Sequence, residues 1–279
     1  MRTLFLTDLD GTFLGSDAKV SDKSVEIINR LTDKGLLFSI ATARTYATVI
    51  PLFRRIDLRL PLVLMNGVCL YDPINKQTIS SHSITHEAGK EVDRLCGRYN
   101  KNPLLYFENN SKLVVKYKAL DNDDVKSYVS ERADFFNKTF ELVEAVDFQN
   151  SGDFVYIVTL DKKSELESIY NEMRNIKGID CNFYGDNYTG SYFLEAMCAG
   201  VNKGTGASEL KKILKADRLV VFGDNINDIP LFEVADECYA VENACDELKR
   251  ISTGVIGDNN ESSVARFIEK RFYEDRQVF

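Results

Sequence analysis

The amino-acid sequence predicts an α/β fold in which a doubly wound, mainly parallel sheet is interrupted by a smaller inserted α/β unit. Three observations carry this. Apolar runs of strand length alternate with amphipathic stretches over residues 3–81 and again after Gly200. Between those regions the pattern changes to pairs of strands framed by helices. Residues able to do chemistry stand at the ends of apolar runs on both sides of the interruption, where open α/β sheets bind ligands.

The elements follow in order. Leu4-Phe5-Leu6 reads as the heart of a buried strand at 3–7, followed by an amphipathic helix near 22–33, a strand at 36–41 and a helix near 45–55. A strand at 62–65 and short strands around 68–71 and 77–80 lead to Ser80-Ser81-His82-Ser83, a polar linker. From about 85 a helix runs to about 99, then strands near 104–108 and 112–117, a helix near 122–132, strands near 141–145 and 153–160, a helix at 163–175, and strands at 179–184 and 191–197. A helix followed by two strands stands at each end of this stretch, a near-repeat of pattern without sequence identity. After Gly200 come a helix at 203–214, a strand at 219–222, a helix at 228–235, a strand near 238–241, a helix near 244–250, a strand near 253–256 and a last helix at 262–272. Residues 1–81 and 198–279 are thus expected to form one core, and 82–197 an insert joined to it at a hinge near 80–84 and 197–201.

Composition narrows the function. At 279 residues and 44% hydrophobic, the chain can bury a full core and exceeds a typical single domain. A net charge of −8 argues against a nucleic-acid or anionic-membrane surface, while leaving room for a phosphate ester held by local positive charge. No apolar stretch approaches the ~20 residues of a membrane span, and Asp8 precedes any signal-type apolar region. A soluble cytoplasmic protein is expected, and nothing implies a protein partner. The six cysteines show no C-x-x-C pair and read as buried reduced thiols. His82 and His86 lie four apart without a third ligand at zinc-type spacing, and read as linker or helix-entry residues.

Asp8-Leu9-Asp10-Gly11-Thr12 places two carboxylates two residues apart directly after the first strand. Like charges so close are costly unless something positive lies between them. A divalent cation would lower that cost, and the Gly11-Thr12 turn would aim backbone amides at the same point. The bland alternative is a solvated acidic turn. Three further pieces follow in order: Thr42-Ala43-Arg44 after the second strand, Val201-Asn202-Lys203-Gly204 at a helix start, and Gly223-Asp224-Asn225-Ile226-Asn227-Asp228 after Leu219-Val220-Val221-Phe222. Each alone reads as an ordinary helix start, surface pair or turn. Together with the first, three of the four at strand ends of an alternating chain, they outline a phosphate site.

In these motifs the chain resembles the haloacid dehalogenase-type (HAD) phosphohydrolases, and within them the Cof-type branch with a class IIB cap. Asp8 to Thr12 match the first motif, Thr42 the second, Lys203 the third and Gly223 to Asp228 the fourth. Asn66-Gly67 resembles the branch's habitual Asn-Gly turn. One departure is Ala43, where the branch usually has glycine; alanine keeps the amide and suffices unless the position needs positive φ. The resemblance implies a Rossmann-like core with residues 82–197 as a cap that chooses the substrate. It also implies Mg²⁺, held by the Asp8 carboxylate, the Asp10 carbonyl and the Asp224 carboxylate, with Asp228 close by or bound through water. Thr42, Lys203 and Asn227 would hold the phosphate, assisted by the amides of Leu9 and Ala43. Arg44 offers its guanidinium either to the phosphate or to an acidic neighbour or the insert.

The expected chemistry makes Asp8 the nucleophile of an aspartyl-phosphate pathway and Asp10 the general acid and then base. The substrate class is small phosphate monoesters, with sugar phosphates favoured. Two other readings remain open here: a phosphohexomutase-type phosphotransferase, and a non-catalytic phosphometabolite-binding protein. Aromatic residues of the insert read mainly as packing. Tyr188, in Gly185-Asp186-Asn187-Tyr188-Thr189-Gly190, is the candidate for substrate contact.

Overall fold

The computed structural model describes residues 2–109, 111–133, 138–186 and 190–277. It divides into two compact units, Met1–Ser80 with Asn202–Phe279, and Ser81–Val201. In chain order the elements are β1 (Thr3–Thr7), α1 (Asp22–Thr32), β2 (Leu37–Ile40), α2 (Tyr46–Leu52), β3 (Leu62–Leu64), β4 (Cys69–Asp72), β5 (Gln77–Ser81), α3 (His86–Arg98), β6 (Leu104–Asn109), β7 (Lys112–Tyr117), α4 (Asp123–Ser130), β8 (Lys138–Leu142), β9 (Asp153–Asp161), α5 (Lys163–Met173), β10 (Ile179–Gly185) and β11 (Tyr192–Cys198). They continue with α6 (Lys203–Leu214), β12 (Arg218–Gly223), α7 (Ile229–Glu233), β13 (Glu237–Ala240), α8 (Asp246–Ile251), β14 (Gly254–Val255) and α9 (Ser263–Gln277).

The first unit is built on a parallel sheet of order β14-β13-β12-β1-β2. A single parallel bridge, Ala41 to Val63, carries β2 on to the three-stranded sheet β3-β4-β5, in which β3 and β4 pair antiparallel. β1 lies inside the sheet, and its Leu4, Phe5 and Leu6 are buried, as a strand covered on both faces requires. From β1 the chain winds outward to β2, then returns on the other side at β12 and winds outward again. The winding therefore reverses between β1 and β12, paired in register from Thr3–Arg218 to Thr7–Phe222. That reversal is the topological switch point, where the strand ends open a crevice.

Local signals place the flanking helices. Ser21 caps α1 by accepting from the Ser24 amide, and Ile27, Ile28 and Leu31 form its buried stripe. α1 packs on α9, tied by the Arg30–Glu269 ion pair. Asn202 caps α6 reciprocally with Thr205, which fixes where the helix starts and sets Lys203 on its first turn.

The second unit is a six-stranded sheet of order β10-β11-β9-β6-β7-β8, antiparallel except for β7 and β8. α3 and α5 cover one face, joining Val92, Leu95, Leu166, Ile169 and Met173 to Phe107, Phe154 and Ile157. The near-repeat in the sequence thus corresponds to two helices sharing one core. Burial there pushes the Cys96 and Cys181 thiols up to about 12, and all six cysteines are free. Among the described residues, no helix is long and apolar enough to cross a membrane.

Several boundaries differ from the sequence expectation. The strand expected near 141–145 lies at Lys138–Leu142, because parallel pairing with β7, from Leu113–Lys138 to Tyr117–Leu142, sets its register rather than the local apolar run. Ser80 and Ser81 end β5 instead of starting a linker. Asp228 closes a short 3₁₀ turn ahead of α7, whose first turn carries Pro230.

Candidate active site

Asp8 follows β1 at the switch point, where its amide donates to the Phe222 carbonyl at 2.9 Å and so extends the β1–β12 pairing by one residue. The chain then makes a tight turn over residues 9–13, which Gly11 permits at φ +79°. Leu9 is buried beneath that turn. Thr12 donates its hydroxyl to Asp224 Oδ1 at 2.8 Å, joining the turn after β1 to the loop after β12. Asn243 donates to the Gly11 carbonyl at 2.7 Å and accepts from the Asn259 amide, while Asn259 donates to the Leu14 carbonyl at 2.7 Å.

Lys203 is a cation at the centre of this cluster. Its Nζ lies 2.6 Å from Asp8 Oδ1 and 2.6 Å from Asp228 Oδ1, with only 1% of its side chain exposed. The other oxygen of Asp228 accepts the amides of Asp224 and Asn225 at 3.0 and 3.1 Å, so Asp228 also shapes the loop that presents Asp224.

The segment after β2 approaches from the other side. Thr42 is 1% exposed, its amide donates to the Val63 carbonyl, and its hydroxyl oxygen accepts the Arg44 amide at 3.2 Å. Ala43 is not among the residues with positive φ, so a side chain is tolerated where the resemblance led one to expect glycine. Arg44 donates Nε and Nη2 to the two oxygens of Asp10, each at 2.6 Å. In this geometry its guanidinium serves an acidic neighbour, one of the alternatives the sequence left open. Asn227 donates Nδ2 to Asn66 Oδ1 at 3.4 Å. Asp8, Asp10, Thr42, Arg44, Lys203, Asp224, Asn227 and Asp228 thus belong to one connected set of side chains and turns in the first unit. Tyr188 lies outside the described residues.

Charge is badly balanced here. Asp8, Asp224 and Asp228 each offer an oxygen within 4.8 Å of the others, and all three are buried. Burial, opposed by Lys203 and reinforced by Asp228, pushes the Asp8 carboxyl up to about 7. Burial and the charges of Asp8 and Asp228 hold Asp224 well above the usual carboxylate range. Burial acts against the Lys203 ammonium, but Asp228 and Asp8 together keep it above the ordinary lysine value. Three carboxylates around one lysine leave an excess of buried negative charge that calls for another cation. A cluster made only of carboxylate oxygens suits a hard divalent ion, so the residues fit Mg²⁺.

A family model described as haloacid dehalogenase-like hydrolase matches residues 5–268. The chain belongs to the haloacid dehalogenase-like hydrolases. Among relatives of this hydrolase, 5-amino-6-(5-phospho-D-ribitylamino)uracil phosphatase YwtE of Bacillus subtilis is 28% identical, over 94% of this chain and 96% of its own. A haloacid dehalogenase-like hydrolase from Bacteroides thetaiotaomicron shares the fold with a TM-score of 0.79 at 20% identity, covering 98% of this chain and 100% of its own. A subclass IIB sugar phosphatase does so with a TM-score of 0.73 at 19% identity, covering 98% and 99%.

Sequence reasoning missed some of what holds the hydrolase's site together. Asn243 lies in a turn and Asn259 opens a short 3₁₀ turn, both without hydrophobic period, and nothing local marks them as partners of the turn after β1. Thr12 was expected to contribute a backbone amide; its hydroxyl bond to Asp224 spans 212 residues of sequence.

Proposed function

We propose that this hydrolase is a Mg²⁺-dependent phosphatase of small phosphate monoesters, with sugar phosphates as the favoured class. The observation that carries the reading is Lys203 held between Asp8 and Asp228 in a buried group of three carboxylates at the switch point of the sheet. A site built only to bind an anion would not gather carboxylates, whereas phosphoryl transfer needs a nucleophile and balancing positive charge around one point. The relatives support the class: one is a phosphatase of a phospho-D-ribitylamino compound and one a sugar phosphatase.

Asp8, Asp224 and Asp228, with the Asp10 carbonyl, would hold Mg²⁺. When bound, the ion supplies positive charge for the phosphoryl oxygens and the attacking carboxylate. Asp8 attacks phosphorus, the ester P–O bond breaks, and Asp10, which must first take up a proton and give up one bond of its Arg44 fork, passes that proton to the departing alkoxide. Asp10 then takes a proton from the water that attacks the aspartyl-phosphate, releasing inorganic phosphate and restoring Asp8. Lys203 fixes the Asp8 carboxylate before attack and offsets the charge of the phosphoryl group it receives. Thr42, Asn227 and the amides of Leu9 and Ala43 hold that group, while the inserted unit, residues 82–197 with its hinge segments, selects the leaving alcohol.

The test is phosphate release measured over a panel of sugar phosphates and nucleotides with Mg²⁺ present, for wild type and Asp8→Asn. Release by the wild type alone, strongest on sugar phosphates, is expected. Equal release by both proteins, or isomerised sugar phosphate without net phosphate, would overturn the reading.

A further inference from the structure

Met65, Asn66 and Gly67 stand in succession at φ +53°, +53° and +95°. No other run of consecutive left-handed residues occurs among the described residues. Residues other than glycine keep this conformation only when their surroundings over-determine it. The surroundings here are the parts of the active site. The Asn66 amide donates to the Thr42 carbonyl at 3.0 Å, the Met65 amide to the Arg44 carbonyl at 3.1 Å, and the Thr42 amide to the Val63 carbonyl at 3.0 Å. Gly67 lies so close to the start of α6 that an added Cβ would stand 2.0 Å from the Asn202 carbonyl oxygen, one residue before Lys203. The Asn66 carboxamide, in a residue only 1% exposed, accepts from Asn227.

Three segments distant in sequence, carrying Thr42, Lys203 and Asn227, therefore meet on one turn. We propose that Asn66 is a positioning residue for the phosphoryl group: its left-handed backbone holds the Thr42 loop beside Gly67, which abuts the start of α6, and its carboxamide orients Asn227. What is positioned rests on the phosphatase reading; that these segments are coupled through Asn66 does not. Asparagine suits the position because it tolerates the left-handed region and still offers a carboxamide there.

The experiment is a double-mutant cycle on inorganic phosphate binding, titrated calorimetrically with Mg²⁺ present. Asn66→Gly keeps the backbone conformation accessible while removing the carboxamide, and Asn227→Ala removes its partner. Each single variant is expected to keep a melting temperature close to wild type and to lose roughly tenfold in phosphate affinity. The double variant should lose little more than either single, because both remove the same arrangement. Losses that multiply in full, or wild-type affinity in folded Asn66→Gly, would overturn the proposal. Should Asn66→Gly fail to fold, the same cycle with Asn66→Ser decides between these outcomes. A wild type that binds phosphate yet hydrolyses no ester would sink the phosphatase reading while leaving the cycle readable. A wild type that binds no phosphate would sink both.

Discussion

Arg44 grips both carboxylate oxygens of Asp10, with Nε and Nη2 each 2.6 Å from its own oxygen. Two parallel charge-assisted bonds fix the plane of the carboxylate as well as its position, which a single contact would not. The pair is partly buried, with side-chain exposures of 19% and 28%, so it is better shielded than a surface ion pair. It joins the turn after β1 to the segment after β2, across 34 residues of sequence.

If Arg44 serves Asp10 rather than substrate, Arg44→Ala should lower kcat for a sugar phosphate by roughly ten- to a hundredfold with little change in KM. Arg44→Lys, which keeps the charge and loses the fork, should recover only part of this. Steady-state kinetics decide it. A rise in KM at unchanged kcat would place Arg44 on the phosphate instead.

Asp10 is assigned the proton of the departing oxygen, and that role depends on the leaving group. Asp10→Asn should slow single-turnover phosphorylation of Asp8 far more for a sugar phosphate than for an aryl phosphate, whose phenolate leaves without protonation. Equal slowing for both substrates, in a variant that still binds Mg²⁺, would mean that Asp10 is structural.

Removing the nucleophile or the metal should each abolish turnover. Asp8→Asn is close to isosteric and is expected to lose at least about three orders of magnitude in kcat. Treating wild type with a chelator should produce a comparable loss, restored by added Mg²⁺. Normal phosphate release from either preparation would count decisively against the mechanism.

The crowding of carboxylates has a stability consequence of opposite sign to its catalytic one. Asp224 is held well above its usual range by burial and by Asp8 and Asp228, so its ionised form is unfavourable in the folded, metal-free protein. Asp224→Asn should therefore stabilise that form by about 1–3 kcal/mol, since an amide oxygen can still accept from Thr12. Mg²⁺ at about a hundredfold excess over its Kd should stabilise wild type by about 2.7 kcal/mol, and the variant much less. Thermal melts with and without Mg²⁺ would show both effects. A lower melting temperature for metal-free Asp224→Asn would refute the argument.

Gly67 tests the strained turn from the side of the fold. Its φ of +95° and the 2.0 Å approach of an added Cβ to the Asn202 carbonyl leave no room for a side chain. Gly67→Ala should destabilise the first unit by about 2–4 kcal/mol, read as a fall in the midpoint of chemical denaturation. An unchanged midpoint would show that α6 can shift away from the turn.

The sequence by itself determined where the residues of the candidate site stand along the chain. Asp8, Thr42 and Asp224 were legible because each follows an apolar run, and strand, turn and helix start are encoded within a few residues. Lys203 was legible because Val201-Asn202-Lys203-Gly204 stands at the start of a helix-patterned stretch. The interruption of the β/α alternation was visible for the same local reason. Only the tertiary structure decided which groups meet. Lys203 reaches Asp8 across 195 residues and Thr12 reaches Asp224 across 212. Arg44 turns to Asp10, β8 takes its register from β7, and the Met65–Gly67 turn meets the Thr42 segment, the start of α6 and Asn227. Such choices depend on side chains brought together by long loops and on the desolvation of charges in a shared interior, quantities to which no window of neighbouring residues is sensitive.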